Sequence, residues 1–479
     1  MKAVPDKVLD VLKRVKKDYP RGYLELRRAR NGFYLYNSHS VWNSEKKRPD
    51  KRPLYLGRVT MEGVFLPSGA RRVNTVDRDS FEYGNCVLAY GFLSDVHELL
   101  SDYTGFADEL VAMGVLRAVS PGPVRLYRSK WEKLYLSRLL SVNLEKTRAG
   151  KILYETGKNV SWWYRFFSRL IDEGDMLIYD VSSVTSYSEG LKLAEKGHNT
   201  DHDQNNQVRV LLAFSTGKGL PVAMDVGYGS MKDIKTIRGF LDNLPRRGRV
   251  GLILDRGFSG YRFFDDLNEE GIDFIVPLHK DFKIIPERVE WSGYMEYHGR
   301  NLRYAQAETR YGTLHMFEDP LLMGDQLNIL TRNMASGGMS VEDYEKRRRM
   351  AGIIPLLTNT GLKSPQVYDL YKTRGEVEQA FDSVKNYLDT DTTYMQRPET
   401  VRGLMFVTFL ASRIYFNIIK RLYATKNAGE YSVEEVLFEL GKIEKLVDNK
   451  TGHEQYLRIP AKAVKILDLF KDQIPMEQK

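Results

Sequence analysis

Met176-Leu177-Ile178-Tyr179-Asp180 and Gly251-Leu252-Ile253-Leu254-Asp255 are the two stretches on which the reading of this chain turns. Each is a short apolar run closed by an aspartate, the pattern of a buried strand that delivers a carboxylate to the polar rim of a sheet. Taken singly, either aspartate would serve equally well as a helix cap or a turn residue. The order of elements around them is what discriminates.

Outward from these runs, 208–216 and 220–226 carry strand patterns joined by the tight turn Gly217-Lys218-Gly219. Residues 232–244 read as a helix, 261–270 as another, and 272–278 as a further strand. Strand, strand, strand, helix, strand, helix, strand is the order of a ribonuclease-H-like α/β core with a mixed sheet, lacking only its closing helix. In that arrangement the first and fourth strands are neighbours, so Asp180 and Asp255 are expected side by side. Two close carboxylates repel unless a cation lies between them. A pair of Mg²⁺ ions held about 3.5 to 4 Å apart by oxygen ligands would relieve that repulsion and suit in-line phosphoryl displacement. Mn²⁺ would substitute.

A third carboxylate is then expected from the closing helix, which is delayed. Residues 280–350 supply alternating stretches at 302–309, 313–317 and 326–331, then a charged helix at 341–349, which together read as a β-rich insertion. The closing helix is expected at 367–388, followed by an apolar helix at 401–422 and a helical tail to Lys479. At about 100° per residue, Tyr371, Arg374, Glu378 and Lys385 fall within roughly 60° of one another on one helix face. A carboxylate there would hold metal while the flanking cations grip phosphates. An ordinary surface pair between Arg374 and Glu378 has the same spacing.

The motifs are more specific than the spacing. Tyr371-x-x-Arg374-x-x-x-Glu378, with Lys385 after six further residues, resembles the YREK signature of DDE-type insertion-sequence transposases at all four positions. Asp255-Arg256-Gly257-Phe258 is similar to the second-aspartate motif of that group. Gly197-His198-Asn199-Thr200-Asp201-His202 with Gln207-Val208 is similar to its loop before the second strand. The similarity runs from about Gly22 to Lys420 and takes in Tyr55-Leu56-Gly57 and Phe81-Glu82-Tyr83-Gly84. Gly375 departs from it, standing where the family often has a bulky residue.

The resemblance implies metal-dependent excision and strand transfer of an element flanked by terminal inverted repeats. It implies Asp180, Asp255 and Glu378 as catalytic metal ligands, Tyr371, Arg374, Lys385 and Arg256 as DNA contacts, and a homodimer in a synaptic complex with target DNA. Trp291, in the insertion, is a further candidate for stacking on an extruded base, with an ordinary core tryptophan as the alternative. Asp201 and His202, with Asp203 and His198, have the residue types of metal ligands but lack a partner set at fixed spacing, and a DNA-positioning or sheet-capping loop accounts for them. Two other functions share this core: a structure-specific nuclease or resolvase that hydrolyses without joining, and a domesticated protein that only binds DNA.

Composition is consistent with a polyanionic partner. The chain of 479 residues carries a formal charge of +9, and cations set against phosphates release condensed counterions. Cys86 is the sole cysteine, so neither an intramolecular disulfide nor a cysteine-rich zinc site can form, and a reducing, cytoplasmic setting on DNA is expected. The N-terminus lacks the uninterrupted apolar core of a secretory signal. The run 404–419 comes closest to a membrane span, but Arg413 interrupts it, and no membrane partner is expected. The organisation expected is a β-rich unit at 1–75, a helical domain at 76–170, the catalytic core at 171–279 and 356–425 around the insertion at 280–355, and a helical region at 426–479. Within the first unit, Lys46, Lys47, Arg48, Lys51 and Arg52 mark a basic turn that is either a DNA contact or a solvated hairpin tip.

Overall fold

The structure, a computed structural model, describes residues 4–19, 21–30, 32–43, 47–68, 78–188, 190–196, 206–230, 233–244, 250–387, 392–393 and 395–476. The chain folds as two compact units, 1–79 with 448–453 and 80–447 with 454–479. In the first, helix α1 (Asp6–Asp18) precedes strands β1 (Tyr23–Ala29), β2 (Gly32–Asn43), β3 (Arg48–Val59) and β4 (Phe65–Pro67), paired in that order. Val8, Val11 and Val15, spaced to share one helix face, share a small core with Phe33, Leu35, Leu56 and Val59 of the sheet. The basic segment is therefore mostly strand: Arg48, Lys51 and Arg52 pair with Asn43, Ser40 and His39, and Lys46 lies outside the described residues.

The second unit takes in most of strand β5 (Arg78–Glu82), then helices α2 (Gly84–Gly91), α3 (Ser94–Ser101), α4 (Ala107–Val119), α5 (Tyr127–Trp131), α6 (Lys146–Lys158) and α7 (Ser161–Leu170). The central strands follow: β6 (Met176–Ser186), β7 (Glu195–Lys196), β8 (Asn206–Ser215), β9 (Leu220–Tyr228), β10 (Gly251–Ile253) and β11 (Asp273–Pro277), with helices α8 (Asp233–Asn243) and α9 (Tyr261–Glu269) between the later ones. Their spatial order is β9, β8, β6, β10, β11, with β8 antiparallel to both β6 and β9, and β10 parallel to both β6 and β11. Gly219, at φ +67°, makes the turn between β8 and β9 that a side chain would strain.

The segment after β11 joins this same sheet. Strands β12 (Gly293–Tyr297), β13 (Arg300–Thr309) and β14 (Gly312–Glu318) form an antiparallel meander, and β15 (Ile353–Thr358) links β14 to β11, completing a sheet that has eleven strands among the described residues. Two helices stand between, α10 (Pro320–Ala335) and α11 (Val341–Arg349). The strand expected at 326–331 is thus the middle of α10. Asp319 caps that helix, accepting from the amides of Leu321 and Leu322 at 3.0 and 3.3 Å, and Pro320 sets its first turn.

The two ends of this segment are pinned by one side chain. Lys280 Nζ donates to Gln326 Oε1 at 2.8 Å and to the Met350 carbonyl at 2.5 Å, while the Gly352 amide donates to the same Gln326 oxygen at 3.0 Å. Burial, and secondarily the charge of Arg256, pull the Lys280 amine down to about 8. A base depressed in the folded state costs stability while charged, so stability should rise as pH climbs from about 8 towards the ordinary 10.5. Urea midpoints at pH 7.5 and 10 should show the wild type gaining on Lys280→Met over this interval; a gain in the opposite direction would overturn the assignment.

The chain ends with helix α12 (Ser364–Tyr387), strand β16 (Thr392–Thr393), helices α13 (Pro398–Ala424) and α14 (Val433–Gly441), the hairpin β17 (Glu444–Asp448) and β18 (Glu454–Tyr456), and helix α15 (Ala461–Leu469). The expected helical tail is therefore mixed, and β17 pairs with β5 and β18. Helix α13 is long and apolar enough to cross a membrane by length and composition, yet it packs against α4, α6 and β9 as a core helix. Phe406 lies at its centre, with ring centroids 5.1 Å from both Trp162 and Trp163 and 6.0 Å from Phe167 of α7. Arg413 is 3% exposed, and its guanidinium donates to the Pro221 carbonyl at 2.5 Å. It anchors α13 to β9 rather than interrupting an apolar span.

Candidate active site

The register of the central sheet positions the first two acids. Met176, Leu177 and Ile178 of β6 stand beside Gly251, Leu252 and Ile253 of β10. Ile178 and Ile253 are the last paired residues, so Asp180 and Asp255 each lie two residues past the same point of the register on neighbouring parallel strands. Strand β10 stops at Ile253 because Asp255 turns the chain, its carboxylate accepting from the Arg256 amide at 2.5 Å and capping a short 3₁₀ turn, Arg256–Phe258. Strand β6 runs on to Ser186, where β16 pairs with it at Thr185 and Ser186. Asp180 is therefore a mid-strand residue, and the rim is made by the end of its neighbour. Ser182, two residues along on the same face, donates to Asp180 Oδ2 at 2.8 Å.

Helix α12 crosses the sheet, touching β13 at one point along its length and β6, β10 and β11 at others. Tyr368 anchors it, its ring 4.8 Å from Phe317 and 5.1 Å from Tyr297. Ten residues on, Glu378 enters the electrostatic field of both aspartates. Burial raises the Glu378 carboxyl above the ordinary range; Arg374 opposes that, and Asp180 and Asp255 each add to it. Glu378 therefore feels both aspartates, which are far from it in sequence.

Arg374 lies among them. Its Nη2 is 3.4 Å from Asp255 Oδ1, and the same nitrogen donates to Glu378 Oε1, so one guanidinium bridges the second and third acids. Its side chain is 14% exposed, against 53% for Asp255 and 35% for Glu378. Tyr371 sits a turn before Arg374; burial raises its phenol, against the pull of Arg374 and Arg256 and with the push of Asp255 and Glu378. Tyr371, Arg374, Glu378, Asp180, Asp255 and Arg256 thus share one electrostatic neighbourhood.

Other candidates lie elsewhere or outside the described part. The Lys385 side chain is outside it although its helix is described, and so are His198, Asp201, His202 and Asp203. Trp291 precedes β12, five strands from β10 in the sheet order, or on the order of 24 Å at the usual strand spacing. There it lies under the Arg303 guanidinium, 4.5 Å from its ring centroid, and Arg303 is itself held by both Glu318 carboxylate oxygens. Trp291 is half-buried there, and its packing is compatible with either reading.

A family model for the transposase DDE domain matches residues 172–414, a span that opens just before β6 and closes within α13. The chain belongs to the DDE transposases. As a DDE transposase it is a DNA-cleaving phosphoryl-transfer enzyme whose partner is DNA, and enzymes of this family generally use divalent metal ions. Among solved structures, a cryo-EM structure of a piggyBac transposase synaptic complex with hairpin DNA is similar over 84% of this chain and 88% of that one, at 12% identity and a TM-score of 0.37. No curated protein matches.

The residues present suit a divalent cation in kind. Three carboxylates offer only oxygen donors, the kind that hard divalent ions take. Among the described residues, however, no three acidic, histidine or cysteine side chains are drawn together closely enough to ligate an ion as they stand. The transposase also holds an acid that sequence reading passed over. Asp225 on β9 is half-buried, its carboxyl is raised chiefly by desolvation, and it accepts from the Tyr164 hydroxyl at 3.1 Å. Asp225 is level with Leu211 and Val181, one residue out of step with Asp180, and so belongs to the opposite sheet face.

Proposed function

We propose that this protein binds the terminal inverted repeats of an insertion sequence and cuts and joins DNA at Asp180, Asp255 and Glu378 on a ribonuclease-H-like core. The observation that carries the reading is the β6–β10 pairing, which ends two residues before each aspartate on neighbouring strands, combined with the influence of both on Glu378. The order β9, β8, β6, β10, β11, with one antiparallel meander and two parallel additions, supports the core assignment. A closing helix bearing the third acid completes it.

Asp180, Asp255 and Glu378 would hold two Mg²⁺ ions, with Mn²⁺ in substitution. Metal bound there supplies Lewis-acid activation of the phosphoryl oxygens and of the attacking oxygen. Ser182 keeps the Asp180 carboxylate turned along the strand, and the Arg256 amide does the same for Asp255. Arg374 and Arg256 present guanidinium groups to the phosphates flanking the scissile bond. Tyr371, held neutral by burial, donates its hydroxyl rather than charge. A water oxygen attacks the element-end phosphorus as the bond to the 3′-oxygen breaks, and that freed 3′-hydroxyl then attacks a second phosphate. The whole acts as a homodimer pairing two ends, on DNA in the cytoplasm.

A strand-transfer assay tests this against simple hydrolysis. With a labelled duplex carrying the element end, a plasmid target and Mg²⁺, a joined product is expected alongside the nicked end. Nicking without any joined product would mark a nuclease or resolvase, and binding without nicking in Mg²⁺ or Mn²⁺ would mark a DNA-binding protein only.

A further inference from the structure

We infer that Arg374 is a built-in placeholder for metal: its guanidinium bridges Asp255 and Glu378 until a DNA phosphate draws it away and leaves both carboxylates to ligate an ion. DNA would then license metal loading, and free protein would bind metal weakly. The inference rests on the proposed metal role of the three acids.

Geometry supports it from three directions. The bridging nitrogen, Nη2, serves Asp255 at 3.4 Å and Glu378 at the same time, so the positive charge stands in the gap that an ion between these acids would need. No group of three ligating side chains is assembled among the described residues, although Asp180 and Asp255 both act on Glu378. Arg374 Nε is buried and has no hydrogen-bond partner among the described residues, so the guanidinium leaves one donor unsatisfied where it stands. An arginine's Nε and Nη2 hydrogens form one side of its fork, and two phosphate oxygens satisfy both at once. The move therefore exchanges a bridge with an orphaned donor for a paired one.

The energetics have the right sign. A cation held within a few ångströms of the ligands repels an arriving divalent ion and competes with it for the same oxygens. Arg374 shares its helix with Glu378 and sits one turn before it, so the side chain can swing without disturbing the backbone that presents the acid. It acts through the carboxylates and is a positioning residue in the free protein.

Mn²⁺ binding to the full-length protein, followed by calorimetry or electron paramagnetic resonance, tests this without reference to activity. Arg374→Gln should bind Mn²⁺ at least about tenfold more tightly than the wild type in the absence of DNA, and Arg374→Lys should fall between them. A duplex oligonucleotide of arbitrary sequence should tighten Mn²⁺ binding to the wild type and leave Arg374→Gln little changed. Adding Asp180→Asn to Arg374→Gln should remove the gain, which ties it to these carboxylates. Equal or weaker Mn²⁺ binding by Arg374→Gln, with Asp180→Asn still lowering the wild-type affinity, would overturn the placeholder while leaving the metal site standing. Binding indifferent to Asp180→Asn and Glu378→Gln in every background would remove the metal site and this inference with it. A merely structural arginine would lower affinity when replaced, never raise it.

Discussion

Replacing Asp180, Asp255 or Glu378 by alanine is expected to lower the rate of DNA end cleavage by at least about a thousandfold each, with end binding retained. The size follows from what each carboxylate would be asked to supply. A thousandfold is about 4 kcal/mol of barrier, and losing one oxygen ligand of a metal pair removes both charge and alignment from the reacting phosphate. Retained binding follows because the phosphate grip belongs to cations: removing an acid beside Arg374 frees that guanidinium for DNA. The three losses should not add in the double variants, since residues acting as one unit fail together. Asp225→Asn supplies the control. It alters a half-buried acid on the opposite face, where a neutral amide can still accept from Tyr164, and end cleavage should persist. Gel assays of nicking and of end-complex formation read both quantities. Mg²⁺-dependent nicking at an undiminished rate in any one of the three alanine variants would strike that residue from the site.

The core was legible because its strands are buried on both faces. Leu177, Ile178, Leu252, Ile253, Phe274, Ile275 and Val276 are all fully buried, so their runs are continuously apolar and cannot be taken for surface alternation. Helix α12 was legible from the phase of its charged residues. Two things were not. Residues 326–331 alternate over six positions, and so short a window does not distinguish a strand from part of a helix; the deciding signal was Asp319-Pro320, six residues upstream. Strand β15 carries Pro355, which argues against a central strand, yet the Pro355 carbonyl accepts from the Leu278 amide and the missing N–H is tolerated. That strand joins the insertion to the core sheet, so overlooking it made the insertion look separate. Strand pairing is set by partners far away in sequence, and periodicity reports a face, not a neighbour.

The site shows the same division. That an arginine and a glutamate lie four apart is a sequence fact, but which acid the guanidinium chooses depends on where β10 ends and how α12 crosses it. Arg374 reaches Asp255 because Asp255 turns out of the sheet and exposes its carboxylate beside the helix. Arg413 is a parallel case. A lone cation in an apolar run reads as an interruption, whereas in the fold its stem is buried and its guanidinium satisfies a carbonyl of the neighbouring strand.

Gly403→Ala should destabilise the protein by about 3 kcal/mol or more, while Gly375→Ala should stabilise it by roughly 0.5 to 1 kcal/mol. Both glycines sit inside helices, where alanine is ordinarily the better residue, so propensity alone gives the two substitutions the same sign. Packing separates them. A Cβ at Gly403 would lie 1.9 Å from the Leu153 carbonyl oxygen, and one at Gly157 would lie 1.9 Å from the Glu399 carbonyl oxygen. Helices α6 and α13 thus cross backbone to backbone at paired glycines, and neither obstacle is a side chain that could turn aside. Relief requires moving α13, which carries Phe406 into the aromatic cluster of α7 and Arg413 onto β9. A shift there loosens several contacts for one added methyl group. At Gly375 a Cβ meets nothing within 4 Å, so only the entropic benefit remains. Urea midpoints should therefore fall for Gly403→Ala and rise for Gly375→Ala. A Gly403→Ala midpoint at or above the wild type would mean that the two helices do not approach this closely, and that α13 is not the fixed member against which β9 is held.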